Sequence, residues 1–104
     1  MAQPELTRDG ILETLRSQRA HLASEYGVRR IGLFGSYARG AQHAASDIDL
    51  LAELDRPLGL KFVELAAFLE TLFGKDVDVL TPAGVQAIRN PRVAANIQES
   101  VVYA

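Results

Sequence analysis

Two short stretches separated by a polar loop decide the fold of this chain. Residues 35–40 read Gly-Ser-Tyr-Ala-Arg-Gly, and residues 46–50 read Ser-Asp-Ile-Asp-Leu. Because side chains alternate along an extended strand, Asp47 and Asp49 should project their carboxylates onto the same face of a sheet. Two carboxylates about 5 Å apart repel by about 3 kcal/mol at an effective dielectric near 20, a sizeable fraction of a small domain's stability. Such a pair is typical of a site that holds a cation.

The hydrophobic pattern places these stretches among alternating helices and strands. Apolar residues recur at helical spacing after Thr7, a suitable N-cap, and stop before Gly27, which predicts a first helix over 8–26. After this helix the pattern predicts a strand over 28–34, a short helix over about 37–40 and a strand over 47–54. It then predicts a helix over about 60–73 and a strand over 75–80. Two further helical segments follow, the first over about 83–90 and the second ending at residue 97. The apolar end over 101–104 could finish the sheet or serve an oligomer interface.

A third acidic residue comes from the predicted strand over 75–80, where two valines face one side and Asp76 and Asp78 face the other. If this strand lies beside the preceding one, Asp78 comes next to Asp47 and Asp49 on a polar face of the sheet. Asp78 is the favoured third acid because valines bracket it inside the strand. Asp76 is the alternative, since it shares the same face but lies at the exposed edge.

Three carboxylates on one face favour a magnesium or manganese site, because these ions prefer hard oxygen ligands. Mg²⁺ usually binds one or two carboxylates together with waters and substrate phosphates, so an open site suits a metal-bound nucleoside triphosphate. Two ions held by Asp47 and Asp49, one of them shared with Asp78, would form a two-metal site for in-line displacement at phosphorus. Asp78 could also accept the proton of the attacking hydroxyl.

The turn at Gly35 and Ser36 supplies groups that suit phosphate oxygens. The start of a helix presents free backbone N–H groups, and a glycine allows the backbone to approach a ligand closely. The Ser36 hydroxyl could donate to the terminal phosphates, and Arg39, one turn further on, could reach a phosphate or one of the carboxylates. The alternative is that Arg39 is a solvated helix residue without a role in binding.

Composition limits the class of protein. The 104 residues are 48% apolar and 23% charged, which predicts one globular domain over 1–104. No apolar run is long enough to span a membrane, and residues 1–5 do not resemble a secretory leader. With no cysteine and a net charge of −2, we expect a cytoplasmic protein without disulfides, a membrane partner or direct nucleic-acid binding.

These motifs resemble those of the DNA polymerase beta-like nucleotidyltransferase superfamily, whose pattern is Gly-Ser, a following Arg-Gly, Asp-x-Asp and a later single Asp. The pattern stands here as Gly35-Ser36, Arg39-Gly40, Asp47-Ile48-Asp49 and Asp78, and the similarity runs from about residue 28 to residue 79. The likeness is greatest to the minimal nucleotidyltransferases, often encoded beside a HEPN-domain partner. The resemblance implies a small mixed α/β sheet, with helices on one face and the carboxylates on the other.

The resemblance also implies an activity. Members of the family transfer AMP from ATP, with Mg²⁺, to a hydroxyl, and several act as antitoxins that modify a tyrosine of a HEPN ribonuclease toxin. Asp47, Asp49 and Asp78 would then be the metal-binding and catalytic residues, and Gly35, Ser36 and Arg39 would bind the nucleotide. Two alternatives stay open, namely a non-catalytic antitoxin that neutralises its partner by complex formation and an aminoglycoside-type adenylyltransferase. The acceptor, the nucleotide preference and the assembly with itself or a partner are left undetermined.

Overall fold

The computed structural model describes residues 6–104, with the backbone alone for Gln98 and Glu99. The prediction for residues 1–5 therefore lies outside the described part of the chain. From residue 6 onward the helices and strands follow in the order α1 (Arg8–Ser17), α2 (Arg19–Tyr26), β1 (Val28–Phe34), α3 (Gly35–Arg39), β2 (Ile48–Leu54), α4 (Lys61–Phe73), β3 (Val77–Leu80), α5 (Pro82–Gln86), α6 (Pro91–Ser100) and β4 (Val102–Tyr103).

The four strands form one mixed sheet in the order β3-β2-β1-β4. β1 and β2 are antiparallel, β2 and β3 are parallel, and β4 pairs antiparallel with β1 at the other edge. The parallel pair is connected through α4, as a parallel crossover requires. The predicted mixed α/β sheet is confirmed, and the apolar C-terminal segment finishes the sheet as β4.

The main core lies on one face of the sheet, under α1, α2 and α4. Ile48 and Leu50 of β2 are fully buried there against Leu65 and Leu69 of α4. Alternation along β2 turns Leu51 and Asp49 to the opposite face. That face was expected to carry the carboxylates without helices, but α5 and α6 cover part of it through a second apolar cluster around Phe34, Leu51 and Val85.

The predicted first helix is two helices, separated at Gln18, whose φ and ψ are −100° and 5°. The Thr14 hydroxyl donates to the carbonyl of Gly10, and the Ser17 hydroxyl donates to the carbonyl of Thr14. Hydroxyl side chains that bond the preceding helical turn compete with the backbone and bend or end helices. Apolar spacing does not register this competition, so the prediction of one continuous helix was wrong.

Other boundaries differ by a few residues. The short helix begins at Gly35 rather than near residue 37, β3 begins at Val77 rather than 75, and α5 ends at Gln86 rather than near 90. Pro91 opens α6, and Asn90 before it is the N-cap of that helix. Among the described residues the longest helix is α4, with 13 residues, and none is long and apolar enough to cross a bilayer.

Candidate active site

Two of the predicted acidic residues lie directly beside each other on neighbouring strands. Asp49 of β2 pairs in register with Asp78 of β3, and on its other side Asp49 faces Phe34 at the end of β1. Asp47 lies two residues before Asp49, immediately ahead of β2. Asp49 is half-buried, whereas Asp47 and Asp78 are exposed. The three residues therefore lie near one open edge of the sheet face, with Asp49 as the most buried of them.

The backbone of Gly35 lies against the carboxylate of Asp49. Gly35 has a φ of +74°, in the left-handed region that favours glycine, and a Cβ added there would overlap Asp49 Oδ2 and lie 3.1 Å from its Cγ. No side chain fits between this turn and the carboxylate. The β1–α3 turn and the acidic strand are thus held in direct contact, which was not visible from the sequence.

The surroundings of Asp49 disfavour the ionised form of its carboxyl group. Burial raises the pKa of its carboxyl above the ordinary value, and the negative charges of Asp78 and Asp47 raise it further, while Arg39 opposes them. A carboxylate that is partly desolvated and faces two like charges favours a bound cation or a proton. Perturbation of this kind by burial and specific charged neighbours is typical of functional sites.

We expect Asp78→Asn to lower the pKa of Asp49, because it removes the larger of the two like charges that raise it, and burial should keep the pKa above the ordinary value. The measurement is an NMR titration of the Asp49 carboxyl carbon in the absence of divalent ions. Asp76→Asn is the matched control and should leave that pKa nearly unchanged. An equal decrease in both variants would contradict the arrangement of charges described here.

Asp76, the alternative third acid, lies before β3. Its backbone carbonyl accepts a hydrogen bond of 3.1 Å from the Ile48 backbone N–H, and its side chain lines a shallow surface depression with Glu70 and Lys75. Asp76 is not one of the charged residues that raise the pKa of Asp49. The register therefore places Asp78, and not Asp76, opposite Asp49.

Ser36 and Arg39 lie on α3, next to Gly35. Ser36 is half-buried and Arg39 is exposed at the last residue of this helix. α3 has five residues, as short as predicted, so its dipole is weak. The groups that remain suited to phosphate are the closely approaching Gly35 backbone, the Ser36 hydroxyl and the guanidinium of Arg39.

Among the side chains that the structure describes, no group of three or more acidic, histidine or cysteine residues is preassembled to hold a metal ion. The donor set nevertheless fits Mg²⁺, which takes one or two carboxylates and completes its shell with waters and phosphate oxygens. Asp49 and Asp78 provide adjacent hard oxygen donors, and Asp47 a third from the same edge.

A cavity of about 550 Å³ opens beside this site. Gly35 and Arg39 line one side of it, and α6 lines the other with Val93, Asn96 and Ile97. The sequence analysis missed these α6 residues. Their helical spacing indicates one face of an amphipathic helix, but spacing does not reveal which part of the molecule that face meets.

Comparison with known proteins agrees with this geometry. The model of the nucleotidyltransferase domain family matches residues 15–104. A Methanocaldococcus jannaschii protein, named provisionally as a protein adenylyltransferase, is 40% identical over 100 residues, which cover 93% of this chain and 97% of the relative. The protein adenylyltransferase MntA of Thermococcus cleftensis is 36% identical over 99 residues, which cover 94% of this chain and 96% of MntA.

Solved structures with the same fold include two informative neighbours. One, described provisionally as a minimal nucleotidyltransferase, has a TM-score of 0.67 and 31% identity, and the match covers 96% of this chain and 98% of that one. The other is a toxin–antitoxin structure with AMP-PNP, with a TM-score of 0.63 and 25% identity over 94% of this chain and 72% of that one. With the family match over most of its length, the chain belongs to the nucleotidyltransferase domain family and is one of its minimal nucleotidyltransferases.

Proposed function

We propose that this chain is a cytoplasmic antitoxin that transfers AMP from ATP, with Mg²⁺, to a tyrosine hydroxyl of a HEPN-domain ribonuclease toxin. The observation that carries the proposal is the position of Asp49, which lies between the Gly35 backbone and the register partner Asp78. The proposal is supported by acidic side chains that lie directly beside a turn that suits phosphate.

The comparisons support the class of substrate and partner. Two relatives that align over nearly their whole length are named as protein adenylyltransferases, one of them provisionally. One structural neighbour is a toxin–antitoxin structure with AMP-PNP, an analogue of ATP. These names describe the relatives, and their extension to this chain is the proposal.

The reaction is an in-line substitution at the α-phosphorus of ATP. The acceptor oxygen forms a bond to that phosphorus, the bond to the bridging oxygen of the β-phosphate breaks, and pyrophosphate leaves with the electron pair. The hydroxyl proton passes to the carboxylate of Asp78, the exposed acid opposite Asp49. Divalent ions held by Asp47, Asp49 and Asp78 would supply charge neutralisation on the phosphates and a lower pKa of the attacking hydroxyl.

The remaining residues would orient the nucleotide. The Gly35 backbone approaches the phosphates closely because no side chain intervenes, and the Ser36 hydroxyl donates to a phosphate oxygen. Arg39 contributes a positive charge at the cavity side of the site, where it also lowers the pKa of Asp49. Holding the phosphates in line with the acceptor is the main contribution that protein groups make to phosphoryl-type transfer.

The test combines the purified chain, Mg²⁺, ATP labelled at the α-phosphate and the purified product of the neighbouring gene, the expected toxin. We expect label on the toxin, an intact-mass increase of one AMP moiety and mapping of that moiety to a tyrosine. The matched sample contains the chain with both Asp47→Asn and Asp49→Asn. Absence of label with the unmodified chain would remove the enzymatic proposal.

Neutralisation by complex formation alone is the alternative that the same samples separate. This alternative is supported by a structural neighbour that was solved as a toxin–antitoxin structure. If the doubly substituted chain protected an RNA substrate from the toxin as well as the unmodified chain did, transfer would not be the mechanism. Adenylylation of an aminoglycoside is separated by replacing the toxin with the drug, and we expect no label there.

Asp78→Asn should lower the transfer rate by about 10²-fold, because a positioned general base contributes roughly 10²–10⁴-fold. The matched variant is Asp76→Asn, which removes the same charge two residues earlier, ahead of β3, and should retain nearly full activity. Rates are compared under single-turnover conditions at saturating ATP. The opposite order of effects would assign the third acid to Asp76.

A further inference from the structure

The cavity beside the acidic site changes character from one side to the other. At the β1–α3 side it is lined by the Gly35 backbone and the cationic Arg39. At the α6 side it is lined by Val93, Ile97 and Asn96. Its volume of about 550 Å³ lies within the range of small-molecule sites, roughly 300–1,000 Å³, which are mostly apolar with a few placed polar groups.

This gradient matches the chemistry of a nucleotide. The cationic side complements a polyphosphate, and the apolar side complements the flat faces of a heteroaromatic base. Asn96 is exposed and is one of the residues that line the cavity. An Asn amide carries both donors and an acceptor and pairs bidentately with adenine at N6 and N7, a pattern that guanine does not offer.

We propose that the cavity face of α6, formed by Val93, Asn96 and Ile97, is the nucleobase site, and that Asn96 is the residue that selects adenine. This inference rests on the proposed function, since it assumes that the phosphates lie at Gly35 and Arg39. It adds the part of the molecule that holds the base and sets the nucleotide preference. An acceptor tyrosine is a less suitable occupant, because its side chain offers no anionic tail for Arg39.

The experiment measures binding and does not depend on transfer. Dissociation constants are determined by calorimetry for the unmodified chain with MgATP, MgGTP and magnesium tripolyphosphate, which has the phosphates without a base. We expect ATP to bind more tightly than GTP. In Asn96→Ala the preference for ATP over GTP should fall by about tenfold, whereas affinity for tripolyphosphate should stay unchanged.

Two further variants test the contact with the base and provide a matched control. Val93→Ala, at a partly exposed position of the cavity wall, should weaken ATP and GTP together and leave tripolyphosphate unaffected, because it removes apolar contact with either base. Gln86→Ala is the matched control for Asn96→Ala, since it removes an exposed amide at the end of α5, outside the cavity lining. It should change none of the three constants.

The outcomes separate this inference from the proposed function. An unchanged ATP-to-GTP ratio in Asn96→Ala, or a loss of tripolyphosphate affinity in the same variant, would overturn the nucleobase assignment even if transfer to the toxin occurs. A changed ratio with no transfer would leave α6 as the base site and remove only the enzymatic step. Equal affinity of the unmodified chain for ATP and GTP would also overturn the selection by Asn96.

Discussion

Replacement of Asp49 by asparagine should lower nucleotidyl transfer by at least about 10³-fold and at the same time make the ligand-free protein more stable. Activity should fall because Asp49 is the innermost of the acidic residues and the one that contacts both the Gly35 turn and β3. Removal of the carboxylate proposed to bind the metal should cost about 4 kcal/mol of transition-state stabilisation, which corresponds to a factor of about 10³.

The gain in stability follows from the sign of the pKa shift. Burial and the charges of Asp78 and Asp47 raise the pKa of Asp49 in the folded protein above that of the unfolded chain. The folded state therefore binds the proton more tightly, and stability falls as pH rises through the window between the two values. The asparagine side chain of the Asp49→Asn variant does not ionise, so the variant avoids this penalty at neutral pH.

The expected gain is small because the site is partly solvated. Close like charges repel by about 3 kcal/mol at an effective dielectric of 20, and solvent screening at a half-exposed group reduces the net effect to about 1 kcal/mol. For a chain of this size that corresponds to an increase in Tm of about 4–8 °C. The measurement is thermal unfolding without divalent ions at pH 7 and again near pH 4, where the advantage of Asp49→Asn over the unmodified protein should disappear.

Glu53→Gln is the matched control, because Glu53 lies on the same strand and the same face as Asp49 but pairs with Arg30 at the far end. It should retain activity and gain no stability. A destabilised Asp49→Asn protein would contradict the electrostatic account of the site, and full activity in that variant would contradict its catalytic role.

Gly35→Ala should remove most of the activity and destabilise the fold. A residue other than glycine pays about 1–2 kcal/mol in the left-handed region, and the methyl group would in addition overlap the Asp49 carboxylate. Overpacking of this kind typically costs about 1–3 kcal/mol. The sum of about 3 kcal/mol predicts a decrease in Tm of about 10 °C or more. Displacement of the carboxylate by about 1 Å should lower transfer by about 10²-fold.

Gly40→Ala separates the two contributions. Gly40 has a similar φ of +70°, but an added Cβ would have no neighbour within 4 Å. It should therefore show the backbone cost alone, about 1–2 kcal/mol, and nearly normal activity at temperatures where it is folded. Equal losses of stability and activity in the two variants would mean that contact between the Gly35 turn and Asp49 is unimportant.

β2, the strand that carries Asp49, could be predicted from the sequence because its apolar and acidic residues alternate. β2 begins one residue from its predicted start and ends at the predicted Leu54, and β1 matches its predicted range. Alternation is enforced by the pleat, so a residue's face follows from its position alone. The prediction of one helix over 8–26 failed for the converse reason, since the break at Gln18 follows local hydroxyl hydrogen bonds that apolar spacing does not report.

Motif order and alternation by themselves determined the mixed α/β class, the family resemblance and the prediction of Asp47 and Asp49, with Asp78 favoured over Asp76, because these depend on residue type and local spacing. Only the tertiary structure decided the register that sets Asp78 opposite Asp49, the contact between Gly35 and that carboxylate, and the position of α6 beside the cavity. These features join residues far apart in the chain, and strand pairing and helix packing depend on complementary surfaces that no local pattern encodes.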